Sequence, residues 1–144
     1  VITGWKESVE QAGAVLKDAG AKRVLPLNVS GPFHSPMLQE AAGQLKEGLD
    51  QIECSPLQIP YVTNVTGRYV SDIEETKELL IQQIAAPVRW QQSVEEMIRQ
   101  GVDTFVEIGP GRTLSGFLRK INRDVKVYQV STWEDIEKAG KELC

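Results

Sequence analysis

Residues 102–130, VDTFVEIGPGRTLSGFLRKINRDVKVYQV, decide the fold class. Val102 to Ile108 is an apolar, β-rich run that reads as a strand, and Gly109-Pro110-Gly111 is a turn that breaks it. Leu114, Phe117, Leu118 and Ile121 then recur at helical spacing, and Val125 to Val130 reads as a second strand. Strands alternating with helices predict an α/β layer built on a parallel sheet. The alternation continues outward. Ser131 with Glu134 three residues on forms a capping box ahead of a helix carrying Trp133, Ile136 and Leu143. Upstream, Trp90, Val94, Met97 and Ile98 make a helical face closed by Gly101, and Ser71 and Asp72 cap a helix with Ile73, Leu80 and Ile84 that Pro87 ends.

Ile59 to Val65 reads as a strand with its turn at Gly67. Before it, Ser35 as a capping hydroxyl and Pro36 at the first helical position start a helix whose inner face is Leu38, Ala42, Leu45, Leu49 and Ile52. At the beginning of the chain, Trp5, Val9, Ala12, Leu16 and Ala19 form one helical stripe that Gly20 closes. Val24 to Val29 reads as a strand, on an edge because Pro26 lacks the N–H for a ladder. With the apolar run Val1-Ile2-Thr3-Gly4, this makes a strand, helix, strand unit. It suits the later part of a small ferredoxin-like subdomain, residues 1–30, handing over near Ser30-Gly31-Pro32 to an α/β layer, residues 31–144. Opening on Val1 without an initiator Met, the chain is expected to be a cut one.

The 144 residues are 41% hydrophobic, 25% charged and 6% aromatic, the balance of a globular domain. A chain of this size buries roughly 68–70% of its unfolded surface, enough for a core without disulfide or metal staples. Cys54 and Cys144 lie far apart with no metal-ligand spacing around either, so the reading is a reduced, cytoplasmic protein with no metal site. A formal charge of −4 argues against nucleic acid as a partner, and no apolar run is long enough to span a membrane.

The single histidine, His34, is the one imidazole available for proton transfer near neutral pH. It follows the tight turn Ser30-Gly31-Pro32-Phe33 and precedes a helix start, a placement that suits either a general base or a solvent-facing loop histidine. No nucleophile accompanies it. Ser115 has Gly116 after it but Thr113, not glycine, two places before, so the Gly-x-Ser-x-Gly elbow is absent. Cys54 has no basic neighbour to make it a thiolate, and Glu74-Glu75 and Glu95-Glu96 read as solvated helix faces.

The segment Leu27-Asn28-Val29-Ser30-Gly31-Pro32-Phe33-His34-Ser35-Pro36 resembles the catalytic-histidine segment of malonyl-CoA:acyl carrier protein transacylases. Ala19-Gly20-Ala21-Lys22-Arg23, Asn64-Val65-Thr66-Gly67, Pro87-Val88-Arg89-Trp90 and Glu107-Ile108-Gly109-Pro110-Gly111 resemble the same family in the same order. The resemblance covers nearly the whole chain and corresponds to the C-terminal part of family members. It implies part of an acyltransferase domain and a ping-pong reaction in fatty acid synthesis, in which a serine takes malonyl from coenzyme A and passes it to the phosphopantetheine thiol of acyl carrier protein. His34 is then the general base and acid, and the backbone carbonyl at Arg89 is the acceptor that orients it. Phe33 matches a position that sorts malonyl from larger units, where one methylene is worth ~1–3 kcal/mol, and it equally suits simple packing of the turn. Asn64 either lines the same cleft or serves the turn before Gly67.

The family's serine elbow, its malonate-binding arginine and its oxyanion turn correspond to chain before Val1, so this chain alone is expected to be inactive and to pair with that N-terminal part. No metal or bound cofactor is implied. From Ile108 to Arg123 there is no acid, while Arg112, Arg119 and Arg123, with Lys120 beside them, are expected on one helical face. This stripe is a candidate docking face for the acidic carrier protein, or simply a solvated face. Two rival readings stand beside the enzyme. One is a carrier-protein-binding module that has lost the nucleophile. The other is a nucleotide-binding α/β domain, for which Gly109-Pro110-Gly111 is too short a phosphate-binding signature.

Overall fold

A computed structural model describes residues 1–143, which leaves the expectation for Cys144 outside the described residues. The chain divides into two compact units: Val1–Val65 with Val70–Val88, and Thr66–Tyr69 with the residues from Arg89 onward. The expected boundary near Ser30 therefore falls inside the first unit.

In the first unit, helix α1 (Lys6–Asp18) stops where the sequence places its stop. Gly20 takes φ 98°, its N–H donates to Lys17 O at 3.0 Å, and Ala21 N–H reaches Leu16 O at 2.9 Å. These two bonds satisfy carbonyls that the helix end would otherwise leave free. A single 3₁₀ turn, Pro36–Leu38, leads into α2 (Gln39–Leu49), and α3 (Ile73–Gln82) packs against α2. Asp72 caps α3 as expected, its Oδ1 accepting from Glu74 N–H at 3.0 Å. Between α2 and α3 lie the short strand β1 (Tyr61–Val62) and the start of the turn at Asn64. Ala42, Val70 and Leu79 are buried, with Thr63 and Thr76.

Several expectations fail in this unit: of the strand read over Ile59 to Val65 only Tyr61–Val62 forms, and three apolar stretches behave otherwise than expected. Val24 to Val29 does not form a strand: Leu25, Leu27 and Val29 are 62–72% exposed, while Val24 Cγ1 lies 3.0 Å from where a Cβ on Gly13 would sit. A strand exists by pairing, and no other segment among the described residues pairs with this one. The run Val1 to Gly4 is likewise not a strand. The apolar stripe of α1 is mostly uncovered, with Trp5 and Leu16 exposed.

In the second unit, α4 (Trp90–Arg99) precedes β3 (Thr104–Ile108), α5 (Thr113–Ile121), β4 (Lys126–Val130) and α6 (Trp133–Leu143). Strand β2 (Tyr69–Val70) lies across the division of the chain. As the sequence predicts, β3 and β4 are parallel with α5 as the crossover, in the register Thr104↔Lys126 through Ile108↔Val130. Val94, Leu118, Val130 and Ala139 form the core. Gly101 closes α4 with φ 96° and the pattern seen at Gly20, its N–H donating to Ile98 O while Val102 N–H donates to Met97 O. At Gly67 (φ 68°) an added Cβ would come within 2.9 Å of Gln92 Cβ, so the turn can press against the start of α4 only with glycine there.

The turn after β3 is locked by Glu107, whose carboxylate accepts from Leu114 N–H (3.0 Å), Ser115 N–H (2.8 Å) and the Ser115 hydroxyl. The Ser115 hydroxyl first, then these backbone N–H groups, hold the carboxyl below its ordinary value. The capping box at α6 is displaced by one residue. Asp135 accepts from Ser131 N–H and Thr132 N–H, both at 3.0 Å, and Thr132 Oγ1 accepts from Asp135 N–H at 3.3 Å. Ser131 instead donates its hydroxyl to Gly109 O at 2.9 Å, so Thr132 is left to face the helix start. Among the described residues no helix is long and apolar enough to cross a membrane.

Candidate functional site

The loop Ser30-Gly31-Pro32-Phe33-His34-Ser35 is tied down by its own residues. Ser35 is buried, and its hydroxyl donates to Pro32 O at 2.7 Å, while its carbonyl accepts from Leu38 N–H at 3.0 Å. The serine expected to cap the following helix thus turns backward and closes the loop. A Cβ on Gly31 would meet the Phe33 ring at 3.2 Å, so the ring lies back over the glycine while remaining more than half exposed.

His34 has φ 56°, the single described non-glycine residue in the left-handed region. Such a conformation costs energy and recurs where a side chain must be aimed. Here it aims the ring at the end of α3, where Nδ1 lies 2.9 Å from Gln83 O. A carbonyl only accepts, so Nδ1 carries the proton and Nε2 keeps its lone pair. Among the described residues Nε2 has no partner, and the residue is exposed. In the neutral form of the ring this geometry leaves Nε2 as the free acceptor.

The acceptor is not the one expected. Arg89 O receives Ser93 N–H and the Ser93 hydroxyl, both at 2.9 Å, because Arg89 is the N-cap of α4 and its carbonyl starts that helix's bonding. Gln83 follows the last residue of α3, in the turn where carbonyls lose their intrahelical partners. That count of unsatisfied carbonyls is the sequence signal that points to Gln83. Asn64 is half-buried in the turn after β1, where Thr63 Oγ1 accepts from Val65 N–H. Cys54 is free and half-buried.

The four basic residues expected on one stripe split into two places. Arg112 is the N-cap of α5, whereas Arg119, Lys120 and Arg123 line one open concavity of about 500 Å³ with Val125 and Val127. Arg123 is not on the helical face, because α5 ends at Ile121 and Asn122 is extended (φ −146°, ψ 133°). Nine helical residues rise roughly 13 Å, which separates Arg112 from the cluster. Lys120 Nζ sits 5.9 Å from the centre of the Phe117 ring.

Fold and site together define an α/β protein with a parallel crossover and one histidine whose Nδ1 is held by a backbone carbonyl. No protein-family model matches the chain. It is a homologue of a stretch of the malonyl CoA-acyl carrier protein transacylases. It is 45% identical over 143 residues to the enzyme of Bacillus subtilis, which covers 99% of this chain and 45% of the relative. The Staphylococcus aureus enzyme is 41% identical over 95% of this chain and 44% of the relative. Among solved structures, the Clostridium perfringens transacylase matches with a TM-score of 0.88 at 40% identity, over 94% of this chain and 43% of that one. A malonyl-transacylase in complex with a type II PKS acyl-carrier protein matches with a TM-score of 0.91 at 39% identity, over 95% and 44%. The chain thus spans less than half the length of the relatives it matches.

Proposed function

We propose that this chain supplies the general base of malonyl transfer from coenzyme A to the phosphopantetheine thiol of acyl carrier protein, in fatty acid synthesis in the cytoplasm. The observation that carries the reading is the His34 Nδ1 bond to Gln83 O, which leaves Nε2 free to take a proton. A serine on the N-terminal part of such an enzyme attacks the thioester carbonyl as Nε2 accepts its proton. The imidazolium then returns that proton to the departing coenzyme A thiolate, leaving malonyl on the serine. In the second half, Nε2 accepts the proton of the carrier thiol as its sulfur attacks the malonyl ester, and the serine recovers the proton. The fixed tautomer serves both halves, because the same nitrogen acts as base and acid in turn.

In this reading residues 1–30 belong to a ferredoxin-like subdomain and residues 31–144 to the acyltransferase domain. Phe33, beside the base, and Asn64 line the acyl pocket. The carrier protein docks on Arg119, Lys120 and Arg123, with Arg112 as an outlying contact. That basic concavity also favours a second reading, a carrier-protein-binding module without catalysis.

A chimaera in which this chain replaces the matched stretch of the Bacillus subtilis relative tests the reading. His34→Ala in that chimaera is expected to slow malonyl transfer by roughly 10²–10⁴-fold, the usual worth of a general acid/base group. Transfer at an unchanged rate would remove His34 from the mechanism. A chimaera that binds carrier protein but never forms a malonyl ester would favour the binding module.

A further inference from the structure

We infer that Pro87 is a positioning residue for His34, acting through the backbone N–H that it lacks; the catalytic consequence rests on the role proposed for His34, whereas the structural one does not. After α3 Gln83 N–H donates to Leu79 O (3.0 Å), Ile84 and Ala85 N–H then reach only three residues back, to Ile81 O (3.4 Å) and Gln82 O (3.2 Å), and the four-residue series resumes with Ala86 N–H to Gln82 O (3.0 Å). The next bond in that series would run from residue 87 to Gln83 O. Residue 87 is proline, which has no N–H, and proline also turns the preceding residue away from helical geometry. The series stops one residue short, and the carbonyl it leaves open is the one that takes His34 Nδ1–H at 2.9 Å. His34, Gln83 and Pro87 all belong to the first unit. An amide at position 87 would bring a second donor to that carbonyl; its two lone pairs admit two bonds, as at Arg89 O, but a donor held four residues on in the same turn would crowd and weaken the bond from a side chain 49 positions away in sequence.

The chain contains one histidine, so a long-range ¹H–¹⁵N spectrum holds a single pair of imidazole nitrogens and reports the tautomer directly. At alkaline pH, in the neutral form of the ring, the native chain is expected to show Nδ1 protonated. Pro87→Ala is expected to lower the ratio of Nδ1–H to Nε2–H by roughly two- to tenfold, the equilibrium worth of one hydrogen bond. N-methylalanine at position 87 lacks the pyrrolidine ring and also lacks the N–H, so it is expected to retain the native ratio. The same variant separates loss of the ring from gain of a donor should Pro87→Ala fail to fold. An unchanged ratio in folded Pro87→Ala, or a ratio lowered equally by N-methylalanine, overturns the inference. In the chimaera, Pro87→Ala is expected to lower kcat by the same factor with KM held. A shifted tautomer with unchanged kcat would leave the effect of Pro87 standing and count against His34 as the base.

Discussion

The backbone at His34 yields a prediction in which two substitutions remove the same side chain and differ only in what φ 56° costs them. His34→Ala and His34→Gly both lose the bond to Gln83 O, so that loss cancels when the two are compared. Alanine in the left-handed region carries a penalty of about 1–2 kcal/mol from its Cβ. Glycine escapes it but frees the unfolded chain by about 0.4–1 kcal/mol. From the middles of these two ranges, the glycine variant is more stable by about 0.8 kcal/mol. At most helical or strand positions the order is the reverse, since glycine there is the worse residue. Urea unfolding of the two variants measures the gap. With a slope of about 2 kcal/mol per molar urea, the midpoints should differ by roughly 0.4 M, glycine higher. An alanine variant as stable as the glycine variant, or more so, would show that the left-handed backbone carries no strain, and with it would go the argument that strain is spent on aiming the ring.

Two more predictions concern the second unit. Glu107 titrates below its ordinary value when folded, so the stability it contributes is present above the usual carboxylate range and is lost as pH falls through its folded value. Glu107→Gln should therefore flatten the fall of Tm between about pH 5 and about pH 3, and an unaltered Tm profile would show that the carboxylate does not hold the turn after β3. Arg119→Glu with Arg123→Glu, in the chimaera, should slow transfer to carrier protein more than hydrolysis of malonyl-CoA, and the deficit should shrink as salt is raised. Equal slowing of both reactions would sink the docking assignment, and Arg112→Glu is expected to do less because it lies at the other end of α5.

How far the sequence could be read depended on whether a feature is local. The crossover of β3, α5 and β4 was legible because periodicity and turn residues sit within it, and the strands it predicts differ from those observed by two residues at Val102 and by one at Val125. Helix ends marked by Gly20 and Gly101 were legible for the same reason. Val24 to Val29 was not, since its β-rich composition is necessary for a strand while the partner that completes one is a property of the rest of the fold. The capping box failed by one residue because two hydroxyls, Ser131 and Thr132, stand side by side, and the choice between them was made by Gly109 O, 22 positions away from Ser131. Arg123 failed because helical spacing alone does not say that α5 stops at Ile121.

The acceptor for His34 shows where resemblance and geometry part. A motif carries the histidine, because the residues that shape its loop are neighbours in sequence: Ser35 closing on Pro32, Phe33 folded over Gly31, and the left-handed backbone at His34 itself. The carbonyl that receives Nδ1–H carries no side-chain signature, so it is found only by asking which carbonyls a helix end leaves without donors. That question places it at Gln83 rather than Arg89, whose carbonyl is engaged by Ser93. The bond that sets the tautomer, from Nδ1 to Gln83 O, lies within the first unit. Under the proposed mechanism, a serine then has to bring its hydroxyl within reach of Nε2, with donors placed for the developing oxyanion. Both are requirements of position, which a separately folded segment can meet, whereas a tautomer depends on a hydrogen bond made at the histidine itself.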